Sequence, residues 1–188
     1  MSYIGKTPTA VPLTSSDITN GIITTAKIAD DAISAAKLAS GVGGKVLQIV
    51  HANTSTQVAV SSGTLTDTGL TAAITPSATS SKILVLVTHN GNYKSAASSE
   101  TNNALLIKLF RASTEIGKTG SVNFTGSAIE AILSSASFNV VDSPSSTSAL
   151  TYKTQFANIN GGADVAVQKS FGSSWVATSN ITLIEIGA

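Results

Sequence analysis

Large apolar residues follow two different rhythms along this chain. From Leu13 to Ser40 they come in tens: Leu13, Ile23 and Ile33 hold one position, and Ile18, Ile28 and Leu38 hold a second, five residues later. A step of five turns through roughly 140° on a helix and changes face on a strand, so these six residues fit neither one helical stripe nor one strand face. Each decad is therefore expected to break into two short pieces. Gly21 to Ile23 reads as extended, and Thr24 to Ala29 as a single helical turn with threonine at its start and Lys27 near its end. Residues 31–39 also fit a longer Ala-rich amphipathic helix, and that alternative stays open. Each decad offers only two large side chains, too little to offset the ordering of ten residues. Repeats of short period are covered by neighbours, so the six residues are expected to form a stem with other copies of the chain.

Gly41-Val42-Gly43-Gly44 breaks any regular element and marks a linker. Beyond it the rhythm shortens to apolar runs separated by Ser, Thr, Asn and Gly clusters, as all-β architecture requires. Strands are expected at 45–51, 56–61, 67–74, 81–90, 103–112, 121–125, 129–141, 147–158, 164–170 and 179–187, folded as an antiparallel β-sandwich over 45–188. Several of these runs are apolar on both faces: Ile83, Val85 and Val87 alternate with Leu84 and Leu86, and Ile181 and Leu183 with Ile184 and Ile186. A lone sandwich keeps one face of each sheet wet. The surplus face points to a homo-oligomer joined through sheet faces, or alternatively to a cover of loops or of the amino-terminal arm. That arm, residues 1–12, has Gly5, Pro8 and Pro12 among small polar residues and reads as an extended segment.

Composition narrows the function. Charged residues make up 11% of the 188 residues, well below the globular norm of about 25%, and Ser and Thr together exceed a quarter, so hydroxyls carry the solubility. A net charge of +1 offers no field for phosphates, which argues against nucleic acid as a partner. Cysteine is absent, so disulfides and thiolate metal sites are excluded. The start Met-Ser-Tyr-Ile-Gly-Lys has no basic segment leading into an apolar core, and no window approaches eighteen uninterrupted apolar residues. Neither a secretory signal nor membrane insertion is expected.

Candidate chemistry is sparse. His51 and His89 fall at expected strand ends, without metal spacing or a nearby carboxylate, and read as surface residues. The ten carboxylates are scattered; Glu185 interrupts an apolar strand and is expected to face solvent or pair with a lysine. The glycines at 41–44 lead into a strand, whereas a phosphate-binding loop must lead into a helix. No cofactor, metal or catalytic residue is expected. Tyr93 and Trp175 lie in stretches that read as polar, Gly-containing loops, His89-Asn90-Gly91-Asn92-Tyr93 and Gly172-Ser173-Ser174-Trp175, where an exposed ring stacks on a sugar or anchors an interface; the competing reading has them capping the ends of the core.

Decads of the form Ile-Thr-x-Ala-Lys-Ile-Ala-Asp-x-Ala-Ile, as at Ile23 to Ile33, resemble the amino-terminal repeats of fibre and appendage proteins of tailed bacteriophages. The carboxy-terminal part is similar to a β-rich domain of phage virion proteins, notably those of aquatic phages. The residues that carry this second likeness are Ile74 to Val85, Arg111 to Gly117, Asp142-Ser143-Pro144 with Thr151-Tyr152-Lys153, and Ser179 to Ile186. The resemblance implies a trimeric virion component made in the host cytoplasm, with residues 1–40 attached to other virion proteins and a jelly-roll-like sandwich facing outward. It implies a short tail fibre, or alternatively a capsid decoration protein. A rival of another class is a carbohydrate-binding module or depolymerase acting on host surface glycan.

Overall fold

The computed structural model describes residues 23–29, 32–33, 45–95, 103–124, 134–159, 164–170, 172 and 174–187. The chain divides into two units, Met1–Gly43 and Gly44–Ala188. The expected arm at 1–12, the glycines at 41–44, and Leu13, Ile18 and Leu38 lie outside the described residues.

In the first unit, Thr25–Lys27 forms one 3₁₀ turn, closed by the Lys27 N–H donating to the Thr24 carbonyl at 2.9 Å. The Ala32 N–H donates to the Ala29 carbonyl at 3.1 Å. Thus Thr24 to Ala29 makes a single turn, as its sequence predicts. Ile23, Ile28 and Ile33 are all exposed.

Among the described residues the second unit has ten strands: β1 (Val46–Thr54), β2 (Val58–Val60), β3 (Thr66–Ile74), β4 (Lys82–Lys94), β5 (Asn103–Arg111), β6 (Thr114–Phe124), β7 (Ser134–Asp142), β8 (Leu150–Asn158), β9 (Val165–Val167) and β10 (Ser179–Ile186). One sheet runs β1-β10-β4, with β7 on the other side of β4, and β9 and β2 continue it past the end of β10. The other runs β3-β8-β5-β6. Every pairing is antiparallel. The four long strands β1-β10-β4-β7 facing β3-β8-β5-β6 have the order of a jelly roll, a sandwich of eight strands in two Greek keys.

Alternation explains the core. On β4, Ile83, Val85 and Val87 point inward, as do Ile181 and Leu183 on β10; they meet Leu70, Ala72 and Ile74 of β3, Leu109 of β5 and Tyr152 of β8. Leu105, Ile107, Ala136, Phe156, Val165 and Val167 form a second cluster, and Phe138 packs against both. Burying each large aliphatic side chain contributes about 1.5–3 kcal/mol. At one corner a Cβ on Gly117 would lie 2.7 Å from Val140 Cγ2, so only glycine lets β6 close on β7 there.

Several expected boundaries shift: the strand expected at 147–158 starts at Leu150, and the one expected at 164–170 is only Val165–Val167. The strand expected to end at residue 90 continues to Lys94, because Gly91 takes a left-handed φ of +64° and absorbs a bulge between His89 and Asn92. The strand expected at 121–125 begins at Thr114 and pairs along the whole of β5.

Candidate functional site

The bulge in β4 borders a surface cleft. Gly91 sits where two other segments press on β4: a Cβ there would stand 2.5 Å from both Ala177 Cβ and the Lys169 carbonyl oxygen. Beside it, Asn90 joins two walls. Its Oδ1 accepts from Ser135 Oγ at 2.7 Å, its Nδ2 donates to the Thr178 carbonyl at 2.7 Å, and its N–H donates to Ser179 Oγ at 3.0 Å. The start of β7 and the segment before β10 are thereby held apart at fixed spacing. Between them lies a cleft of about 430 Å³, walled by Ser134 and Ser135 on one side and by Trp175, Val176 and Thr178 on the other.

Trp175 is 52% exposed, and the neighbouring Val176 is exposed too. Ser134 Oγ is buried and has no hydrogen-bond partner among the described residues. None of the described lining side chains is charged. Such a wall of indole beside amide and hydroxyl groups suits a neutral, hydroxyl-rich ligand. Among the described residues this wall holds no acid, base or activated nucleophile. Among the described residues no three His, Asp or Glu side chains stand together where they could hold a metal ion.

Behind the cleft a polar line crosses the core. Gln168 Nε2 donates to His89 Nδ1 at 3.2 Å and to Ser179 Oγ at 2.8 Å; His89 Nε2 meets Thr154 Oγ1 at 3.0 Å, which meets Thr68 Oγ1 at 2.6 Å. With Nδ1 accepting, the histidine carries its proton on Nε2 and donates it to Thr154. Burial pushes His89 down to about 4, so the ring is neutral. Gln168 holds a left-handed φ of 55°, a conformation that persists only where the surroundings fix it. The expectation that His89 lies on the surface is thus overturned: β4 runs on past it, and the ring is fully buried. His51 is exposed, with Nδ1 2.9 Å from Thr182 Oγ1.

Glu185 also departs from expectation. It points inward from β10 and is fully buried, and its hydrogen-bond partners are neutral. Oε1 accepts from the N–H and the hydroxyl of Ser77, each at 2.7 Å, and Oε2 accepts from Gln48 Nε2 at 2.6 Å. Burial alone would raise this carboxyl, but the hydrogen bonds from Ser77 and Gln48 outweigh it and hold it at about 2. Arg111 of β5 forms a comparable cluster, gripping Asp142 of β7, whose Oδ2 also accepts from the Tyr152 hydroxyl of β8 at 2.7 Å. Burial, then the Asp142 carboxylate, pushes the Tyr152 phenol well above its usual range. The stretches that carry the phage resemblance therefore converge in pairs: Ser77 with Glu185, and Arg111 with Asp142 and Tyr152. Both sets are internal clamps.

Of the residues singled out in the sequence, Trp175 lines the cleft. Tyr93 does not join its described walls; it sits half-buried within β4 opposite Ala166, with Lys169 Nζ 5.2 Å from its ring centre. Asn90, Ser134, Ser135 and Thr178 escaped sequence reasoning. Asn90-Gly91 gave a signal, read as a loop rather than a bulge inside a strand.

No family model and no curated protein matches the chain. Among solved structures, it is similar to the VP2 subviral particle of infectious bursal disease virus, at 12% identity and a TM-score of 0.33, covering 76% of this chain and 39% of that one. It is also similar to a structure of the Gx strain of the same virus, at 12% identity and a TM-score of 0.35, covering 76% and 37%. The chain thus spans well under half the length of either, and likenesses this weak assign no function to it.

Proposed function

We propose that this protein is a non-enzymatic structural component of a tailed-phage particle, a short homotrimeric tail fibre whose residues 1–40 join the chains and attach them to the virion while residues 45–188 form the outward knob. One observation carries the reading: Ile23, Ile28 and Ile33 are exposed around isolated turns, so this segment has large apolar side chains and no core among the described residues to hold them. Three chains wound together supply that core. The decad resemblance supports the same assignment. Light scattering tests it: the native full-length protein should weigh three times the 18.9 kDa chain. A single-chain mass overturns the reading. Deleting residues 1–40 should also abolish incorporation into particles.

The cleft favours a second role for the knob, adsorption to a neutral host glycan through Trp175. A protein that binds glycan without joining particles would instead be a carbohydrate-binding module.

A further inference from the structure

Asn90 fixes which hydrogen-bonding atoms the cleft has left to offer. The Thr178 carbonyl has no hydrogen to give, so the group facing it at 2.7 Å must be the Asn90 amide nitrogen, and Oδ1 must face Ser135. That oxygen only accepts, so the Ser135 hydroxyl spends its one hydrogen there, at 2.7 Å, and has only lone pairs left for a ligand. Nδ2 carries two hydrogens, and among the described residues the Thr178 carbonyl takes one. The other is left for a ligand oxygen. Asn90 is also held from behind: its N–H donates to Ser179 Oγ at 3.0 Å, and the same oxygen accepts from the buried Gln168 at 2.8 Å. Ser135, Asn90 and Trp175 line the same cleft, and Trp175 leaves half its surface in water.

We propose that this cleft recognises an uncharged sugar through a free hydroxyl that gives its hydrogen to Ser135 Oγ, with the remaining Asn90 Nδ2–H on a second sugar oxygen and the ring against Trp175, and that it refuses acidic sugars. The proposal rests on the glycan-adsorption reading and names the chemistry that the cleft selects. A sugar hydroxyl both gives and accepts a hydrogen, so two of them on one ring match an acceptor and a donor held in one wall. A carboxylate only accepts. Set against Ser135 it would meet lone pairs, and the described lining offers no cation to offset the loss of its water. The indole supplies the apolar side on which the C–H face of a pyranose ring packs. Because Asn90 is anchored through both its amide and its backbone, donor and acceptor are in place before a ligand arrives, which lowers the cost of ordering them.

Trp175 is the single tryptophan of the chain, so its fluorescence reports on this cleft alone. The full-length protein is titrated with glucose, galactose and mannose and with the three matching uronates, followed by tryptophan emission and by saturation-transfer NMR. Monodeoxyfluoro analogues of whichever hexose binds are then compared, since fluorine in place of a hydroxyl cannot donate. At least one neutral hexose should bind, and its uronate should bind about tenfold more weakly or worse. One fluoro analogue should lose about tenfold, and Ser135→Ala should lose as much for the parent hexose. Ser135 is exposed, so the fold should tolerate this change. The weakened analogue should lose nothing further on Ser135→Ala, whereas a merely structural role for Ser135 would weaken both ligands alike. Equal or tighter binding of the uronate, or full additivity of the two losses, overturns this inference and leaves glycan adsorption standing. Silence from every sugar overturns both.

Discussion

Arg111 Nη1 lies 2.7 Å from both carboxylate oxygens of Asp142, tying β5 of one sheet to β7 of the other at the edge of the core. Asp142 retains only 10% of its side-chain exposure and Arg111 23%, so the pair is worth more than a surface ion pair and less than a fully desolvated one. Replacing Arg111 with methionine keeps much of the packing but leaves the carboxylate with the Tyr152 hydroxyl. We expect a loss of about 2 kcal/mol in urea denaturation. Tyr152→Phe removes one hydrogen bond and keeps the buried ring, and should cost about 1 kcal/mol. If Arg111→Met proves the milder change, the clamp does not act as described.

Acid should weaken the fold in two stages. His89 titrates at about 4 when folded against 6.5 unfolded. Between these values the unfolded chain holds the extra proton, so stability is complete above 6.5 and declines as pH falls to 4. The full displacement corresponds to about 3 kcal/mol. Glu185 acts lower: its folded value of about 2 against 4.5 gives stability that is present above 4.5 and lost as pH falls through 2. Denaturation midpoints followed across both windows check the scheme. His89→Leu should flatten the upper window only, and an unchanged upper slope in that variant would assign the decline to other groups.

Gly91→Ala should be severe for so small a change. The added methyl meets backbone and Ala177 at 2.5 Å, and φ at +64° is unfavourable for any L side chain. A loss above about 2 kcal/mol is expected in thermal or urea unfolding. Because β4 carries both the cleft floor and the bulge, changes in tryptophan fluorescence from Trp175 should accompany it.

Trp175→Ala should leave stability within about 0.5 kcal/mol, since the ring is half in water. Binding to a neutral-glycan array should disappear in the same variant. Tyr93→Ala, by contrast, should lower stability through the loss of packing within β4. Unchanged glycan binding without Trp175 would remove the cleft from the adsorption reading.

Most of the β architecture was legible because alternation is strongest where burial is strongest. Ile83, Val85 and Val87, or Ile181 and Leu183, declare a strand from sequence alone, but with Leu84, Leu86 and Ile184 on the opposite face the inward side is settled only by the fold. His89, Tyr93 and Glu185 were misplaced for a common reason. Each is polar or amphipathic in a position whose burial depends on partners distant in sequence: Thr154 and Gln168 for His89, Ala166 and Lys169 for Tyr93, Ser77 and Gln48 for Glu185. The expected strand stops at Asn90, and the Gly-containing stretch after it reads as a loop. Here Lys169 and Ala177 press on Gly91, and the strand continues through a bulge. The cleft lies beside that continuation, so only the exposed Trp175 pointed to it in advance.

The polar line from Gln168 through His89 and Thr154 to Thr68 also acts as a register key. A strand that slips by two residues keeps its apolar side chains facing inward, so hydrophobic burial alone scarcely separates the native pairing from its neighbours. In this sandwich such a slip of β4 against its neighbours β10 and β7 would carry His89 away from Thr154 on the facing sheet and leave several buried polar groups without partners, each costing about 1–3 kcal/mol. A chain composed largely of interchangeable small and β-branched residues thereby selects one alignment, through a few groups that a purely greasy core would lack.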